Sequence, residues 1–196
     1  MVTPDGAPSR RALLSGAGAA LAGVGAMALA GCGSASTAAT SADAPRPLSP
    51  AVARDDVAIL TQALSLERRT VTAYVAAIPL LPRTASQAAK QFLSAELEHA
   101  GTLIGLIRAA GGIAPPRADS YPFRNPPTTA DGVLTLLHAL ETQQIGLYLR
   151  AIPRLSPGPI RAAVSTILTV DSQHLTLLRL QQGQTPVPGP FVTGDE

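Results

Sequence analysis

The sequence predicts an all-α protein: an antiparallel four-helix bundle made of two helical hairpins joined by a long crossover. Three observations carry that prediction. Apolar residues recur three and four positions apart along four long segments, as a helix with one buried face requires. The two halves repeat, because Leu66-Glu67 with Tyr74, Ala77, Ile78, Pro79 and Leu81 matches Leu140-Glu141 with Tyr148, Ala151, Ile152, Pro153 and Leu155 at a constant offset of 74 residues. Between the halves, Ile113 to Pro127 contains Pro115, Pro116, Pro122, Pro126 and Pro127, too proline-rich for a helix and too long for a hairpin turn.

The chain begins with a leader. Ser9-Arg10-Arg11-Ala12-Leu13-Leu14 sets paired arginines directly before an apolar run from Ala12 to Ala30 rich in Ala, Gly and Leu. This resembles a twin-arginine export signal, and Leu29-Ala30-Gly31-Cys32 is similar to the lipobox at which a bacterial lipoprotein is cut and acylated. The resemblance implies a signal peptide over residues 1–31, a lipid on Cys32 and an extracytoplasmic position at the bacterial cell membrane. It also implies export of a protein already folded, often around a cofactor loaded in the cytoplasm. Two other outcomes stay open: an uncleaved run that anchors the chain, since it is just long enough to span, or cleavage after Ala30 to give a free secreted protein. Cys32 is the only cysteine, so no disulfide can form within one chain. Residues 32–50, rich in Ser, Ala, Thr and Pro, cannot bury enough apolar surface to fold and are expected to be a flexible tether.

Residues 51–183 form the expected bundle. The first helix starts after the Ser49-Pro50 cap pair and runs to about Ile78, where Pro79 disrupts it and Pro82 stops it. The second opens at Thr84-x-x-Gln87, a capping-box spacing, and ends at Gly111-Gly112. After the crossover, the third opens at Thr128-x-x-Asp131 and ends near Pro153. The fourth starts with Ser156-Pro157 and ends before Gly183. Residues 184–196 are expected to be a loose tail. With 196 residues, 46% of them hydrophobic, 3% aromatic and no Trp, the chain has enough Leu, Ile, Val and Ala for one core and little for a second domain.

Chemistry-bearing residues lie inside the core stripes. Glu96-x-x-His99 and Asp171-x-x-His174 each follow a lone acid about thirty residues upstream, Glu67 and Glu141. His99 shares a helical face with Phe92, Leu103 and Leu106, and His174 shares one with Val164, Ile167 and Leu178. Glu67 falls between Ala63 and Tyr74, and Glu141 falls among Leu137, Ile145 and Tyr148. Four unpaired buried carboxylates would cost several kcal/mol each or take up protons. A carboxylate-and-imidazole set from four helices that holds two iron or manganese ions removes that cost.

Those residues, with phrases such as Ala63-Leu64-Ser65-Leu66-Glu67, Ala95-Glu96-Leu97-Glu98-His99 and Ile167-Leu168-Thr169-Val170-Asp171-Ser172-Gln173-His174, resemble the ferritin-like superfamily, in particular bacterial domains related to desiccation-associated proteins. The resemblance implies Glu67 and Glu141 as terminal ligands, Glu96 and Asp171 as bridges, and His99 and His174 as nitrogen ligands of two iron or manganese ions. Asp171 stands where a Glu is usual and reaches about 1.5 Å less far. Either the fourth helix approaches more closely, or the second metal is weakly held or absent. His138, three residues before Glu141, is a candidate outer partner of that carboxylate, against the plainer expectation of a satisfied or surface histidine. Tyr74 and Tyr148, about 10 Å along the helix from Glu67 and Glu141, are candidates to donate hydrogen bonds or electrons, against the plainer expectation of core packing.

Other chemistries find no support in the sequence. There is no His-Glu-x-x-His pattern, no glycine-rich phosphate loop after a strand, and no thiol left once Cys32 is acylated. Met1 and Met27, the only methionines, lie in the leader and cannot ligate haem in the domain. The formal net charge of +2 falls to +1 when Arg10, Arg11 and Asp5 leave with the leader, and no basic patch points to nucleic acid. Three functional classes remain: a redox enzyme acting on dioxygen, peroxide or incoming iron, a metal-binding module without turnover, and a metal-free scaffold or stress-protective lipoprotein. A lipid and a tether at the N-terminus suit a membrane-held monomer or small oligomer better than a closed cage.

Overall fold

The structure, a computed structural model, describes residues 49–196, so the proposed signal peptide, the lipidation site Cys32 and nearly all of the tether lie outside the described residues. Four helices follow in order: α1 (Pro50–Ala77), α2 (Arg83–Ala109), α3 (Ala130–Ala151) and α4 (Pro159–Gln181), with one 3₁₀ turn at Ile78–Leu80. No strand occurs among the described residues. At 1.5 Å per residue the 28-residue α1 spans about 42 Å. None of these helices is long and apolar enough to cross a membrane.

The helix ends show where local chemistry agrees with the sequence reading and where tertiary contacts override it. Ser49 caps α1, its hydroxyl accepting from the Val52 N–H, with Pro50 in the first turn. Gly111, at φ 81°, lets the Gly112 N–H turn back to the Ile107 carbonyl and closes α2. The capping box expected at Thr84 does not form. The cap position lies two residues earlier, at Pro82, whose carbonyl receives the Ser86 N–H at 2.8 Å. Thr129 rather than Thr128 caps α3, accepting from the Gly132 N–H at 3.2 Å, and Asp131 sits in the first turn where the helix dipole favours an acid.

The expected start of α4 at Ser156-Pro157 is also corrected. Gly158, at φ 92°, is the residue before the helix, and Pro159 opens it. Ser156 is instead buried, and its N–H donates to Asp56 Oδ1 of α1 at 2.9 Å. The long-range bond uses the Ser156 N–H and draws the residue inside, and its hydroxyl, the group that local capping would have used, is buried without a partner.

The crossover is pinned to α1. Arg68 donates to the carbonyls of Pro115 and Pro116 at 2.9 and 3.0 Å, and the Arg69 guanidinium lies 5.1 Å from the Phe123 ring centroid. The C-terminal segment is not loose. Arg179 Nε donates to the Thr185 carbonyl at 2.8 Å, and Gly194 crosses α3 so closely at Gly146 that neither backbone leaves room for a side chain on Gly194.

Two apolar clusters fill the interior. One gathers Leu60, Leu64, Leu103, Ile107, Tyr148 and Ile167; the other gathers Tyr74, Phe92, Leu134, Leu137, Leu140 and Leu178. Along α1, α2 and α4, the acidic position falls between members of the first cluster and members of the second. The fold thus sandwiches a polar layer between two dry ones.

Candidate metal centre

Each helix delivers one carboxylate to that layer: Glu67 from α1, Glu96 from α2, Glu141 from α3 and Asp171 from α4, all with no exposed surface. The i, i+3 spacing then places His99 and His174 beside Glu96 and Asp171 on the same faces of α2 and α4. His99 Nδ1 lies 3.3 Å from Asp171 Oδ1, 3.8 Å from Glu96 Oε1 and 3.9 Å from Glu67 Oε2. His174 Nδ1 lies 3.2 Å from Glu96 Oε1 and 3.3 Å from Glu141 Oε1. The two imidazoles are near parallel with centroids 6.3 Å apart, and Phe92 covers His174 at 4.2 Å.

These approaches lack hydrogen-bond geometry. Glu67 Oε2, Glu96 Oε1, Glu141 Oε2, both Asp171 oxygens and the Nδ1 atoms of His99 and His174 are buried without a hydrogen-bond partner. A folded protein seldom tolerates so many orphaned polar atoms at one point. Oxygen and nitrogen donors of this kind suit iron or manganese. Two donor sets share the space: Glu96, Glu141, Asp171 and His174 form one, and Glu67, His99 and Asp171 form the other. Asp171 alone belongs to both, despite its short side chain.

Electrostatics report the same crowding. Burial, and then the charge of Glu96, holds the Glu67 carboxyl well above the usual carboxylate range. Burial, then Glu67, does the same to Asp171. Glu96 is raised by burial and by Glu141, and Glu141 is raised by burial. Burial pulls His174 down, but the close approach and charge of Glu141 and Glu96 outweigh it and carry the imidazole up to about 10. A cation among these groups would compete with protons for them.

The tyrosines are more than packing. The Tyr74 hydroxyl donates to Glu141 Oε1 at 2.5 Å, and the Tyr148 hydroxyl donates to Glu67 Oε1. Each tyrosine therefore serves the acid of the opposite hairpin, a crossing that spacing within one helix does not reveal. His138 is not brought to the cluster. It is partly buried and its Nε2 has no partner, while burial and then Arg179 lower its pKa against a smaller raising effect of Glu196.

Two participants escape the sequence reading. Gln144, fully buried on α3, donates from Nε2 to Glu96 Oε2 at 2.9 Å, and Thr70 of α1 lies 2.9 Å from Gln144 Oε1. The signal that finds them is the repeat itself, since Thr70 and Gln144 are equivalent positions three residues after Glu67 and Glu141.

A crystal structure of a conserved hypothetical protein from Mycobacterium tuberculosis is similar in fold, with a TM-score of 0.62 and 21% identity over 65% of this chain and 97% of that one. No curated protein matches the sequence. The sequence profile of the ferritin-like domain matches residues 55–184, which span all four helices but for the first turn of α1, and the chain belongs to that family.

Proposed function

We propose that this chain is an exported, membrane-tethered metalloprotein that holds two iron or manganese ions among Glu67, Glu96, His99, Glu141, Asp171 and His174. One observation carries the reading: seven buried oxygen and nitrogen atoms from both hairpins face one another without hydrogen-bond partners. A bound pair supplies redox chemistry, the oxidation of incoming metal or the reduction of dioxygen or peroxide. The chain's own part is to exclude water with the two apolar layers, to hold Glu67 and Glu141 with the tyrosine hydroxyls, and to bring the donors within reach of one another. The lipobox-like Leu29-Ala30-Gly31-Cys32 supports a lipid anchor, and the tether supports a monomer or small oligomer at the membrane.

Metal analysis of the purified mature protein tests the centre, with one to two iron or manganese ions per chain expected. His99→Ala and His174→Ala are each expected to lower the bound metal, each chiefly at the donor set that loses its histidine, while leaving helical content intact by circular dichroism. Unchanged metal in both variants refutes the ligand assignment, and no metal in the wild type favours a metal-free scaffold with a proton-sharing core. Stopped-flow absorbance of the reduced, loaded protein mixed with dioxygen or peroxide separates an enzyme from a binding module. Membrane fractionation of wild type against Cys32→Ala tests the anchor, which requires loss of the membrane-bound form in the variant.

A further inference from the structure

The repeat gives the bundle an approximate two-fold axis, but the polar groups around the centre break it at one place. Thr70 and Gln144 are symmetry mates, as are Glu96 and Asp171. A glutamine reaches Glu96, and the threonine that stands in its place in the first half is too short to do the same for Asp171. The Thr70 hydroxyl lies 2.9 Å from Gln144 Oε1 and 3.1 Å from the Leu66 carbonyl of its own helix, and its single proton serves the nearer Gln144 in a buried chain from Thr70 through Gln144 to Glu96. Its direction is set by chemistry. A metal ligand is the ionised carboxylate, which only accepts, and the amide is turned to suit it, with Nε2 on Glu96 and Oε1 left to the Thr70 hydroxyl. Glu96 Oε2 is thereby engaged and only Oε1 faces the histidines, while both oxygens of Asp171 remain without partners.

We infer that Gln144 is a positioning residue that locks Glu96 as a one-oxygen ligand, making the two metal positions unequal and leaving Asp171 as the carboxylate that joins them. The inference rests on the metal reading above. The Glu96, Glu141, Asp171 and His174 set, with four donors and the Gln144 brace, is the tighter position. The Glu67, His99 and Asp171 set has three donors and no brace. The longer carboxylate is the restrained one and the shorter Asp171 belongs to both sets, while the second position stays the weaker, as its three donors imply.

Anaerobic titration of the metal-free full chain with Mn(II), followed by calorimetry and by electron paramagnetic resonance, tests this. Wild type is expected to bind in two resolved steps. Gln144→Met, which keeps the volume and removes both hydrogen bonds, is expected to weaken the tighter step roughly 10- to 100-fold, as outer-partner changes do, and to leave the weaker step within about threefold. Thr70→Val keeps Gln144 but frees its amide to turn, and is expected to weaken the same step by a smaller factor; it also serves if Gln144→Met fails to fold by circular dichroism. A role limited to packing would move the melting temperature without separating the two steps. Two steps that fall together, or neither falling in Gln144→Met or Thr70→Val, overturn the inference while leaving the metal reading intact. A wild type that takes up no Mn(II) or Fe(II) overturns both.

Discussion

The two hairpins are copies of one design, and their differences locate the points where chemistry, rather than packing, sets the residue. α1–α2 supplies Glu67, Thr70, Tyr74, Glu96 and His99; α3–α4 supplies Glu141, Gln144, Tyr148, Asp171 and His174. The tyrosines and lone acids are equivalent and are used equivalently, each pair bonded across the axis. The Thr70/Gln144 and Glu96/Asp171 pairs are not. The connections differ too. A 3₁₀ turn closes the first within its own residues, whereas the second relies on Gly158 at φ 92° and on Asp56 borrowed from α1.

The largest test of this comparison is Asp171→Ala against Glu96→Ala. Asp171 stands in both donor sets and Glu96 in one. Asp171→Ala is therefore expected to lose metal at both positions, and Glu96→Ala to keep a weakly bound ion at the Glu67 and His99 side, as measured by metal analysis after desalting. Without metal, Asp171→Ala is expected to melt higher than wild type near neutral pH, because it deletes a carboxyl whose charged form burial disfavours. Equal metal loss in the two variants would make the hairpins equivalent after all.

The pH dependence has a definite sign. Glu67, Glu96, Glu141 and Asp171 are raised above their unfolded values of about 4, so the folded metal-free chain binds more protons and its stability falls as pH rises from about 4 through the raised values. His174, carried to about 10, adds a loss of the same sign above its unfolded value of about 6.5. Metal binding must displace those protons, so affinity moves the other way. The gap between melting temperatures with and without Mn(II) is expected to widen from pH 5 to pH 8. A constant gap would mean that the cluster does not share protons with the metal.

The tyrosine pair sharpens the symmetric half of the comparison. Tyr74→Phe and Tyr148→Phe each remove one buried donor to a carboxyl and are expected to cost about 1.5–3 kcal/mol each. Urea melts should place them within about 0.5 kcal/mol of one another. A much larger loss in one would show that the crossing bonds are unequal.

Asp56→Ala probes the connection that the first hairpin lacks. It leaves the buried Ser156 N–H without its acceptor, at a cost of about 1–2 kcal/mol. Hydrogen exchange should quicken at residues 154–160 and stay unchanged at residues 78–83. Equal quickening at both connections would place Asp56 in general packing rather than in the second turn.

The long-range placements of these residues explain how far the sequence could be read. The helices, the repeat and the six converging side chains are legible because a buried acid or histidine at i, i+3 and i, i+7 from apolar neighbours has one geometric meaning on a helix. Thr84, Thr128 and Ser156 misplace the helix starts because a capping residue type does not by itself fix the cap: Thr129, one residue on, caps with its own hydroxyl, Pro82 and Gly158 precede their helices with no side-chain cap, and the Ser156 N–H is drawn to a partner 100 residues away. Gln144 and Thr70 are illegible singly, since a polar residue on a helix is ordinarily solvated. Only the three-dimensional crossing of α1, α2 and α3 gives them partners.

The smallest effect concerns how each hairpin is strapped. The crossover is held on the first by the arginine side chains of Arg68 and Arg69, whereas the tail is held on the second by a close backbone crossing. A Cβ on Gly194 would stand 2.4 Å from Gly146 Cα and 2.6 Å from its nitrogen, at a φ of 80° that an L residue rarely adopts. Gly194→Ala is therefore expected to release the tail to limited proteolysis within residues 184–196. The cost to global stability should be under about 1 kcal/mol, since Val187 and Phe191 are 66% and 81% exposed and bury little. The other side of the same crossing should behave differently. A Cβ on Gly146 meets Arg150 Nη1 at 3.2 Å and the Gly194 carbonyl oxygen at 3.3 Å, and one of those atoms ends a flexible side chain. The gain in helix propensity, about 1 kcal/mol for Gly to Ala, opposes that crowding, so Gly146→Ala is expected to keep the tail protected. If proteolysis treats the two variants alike, the crossing does not hold the tail.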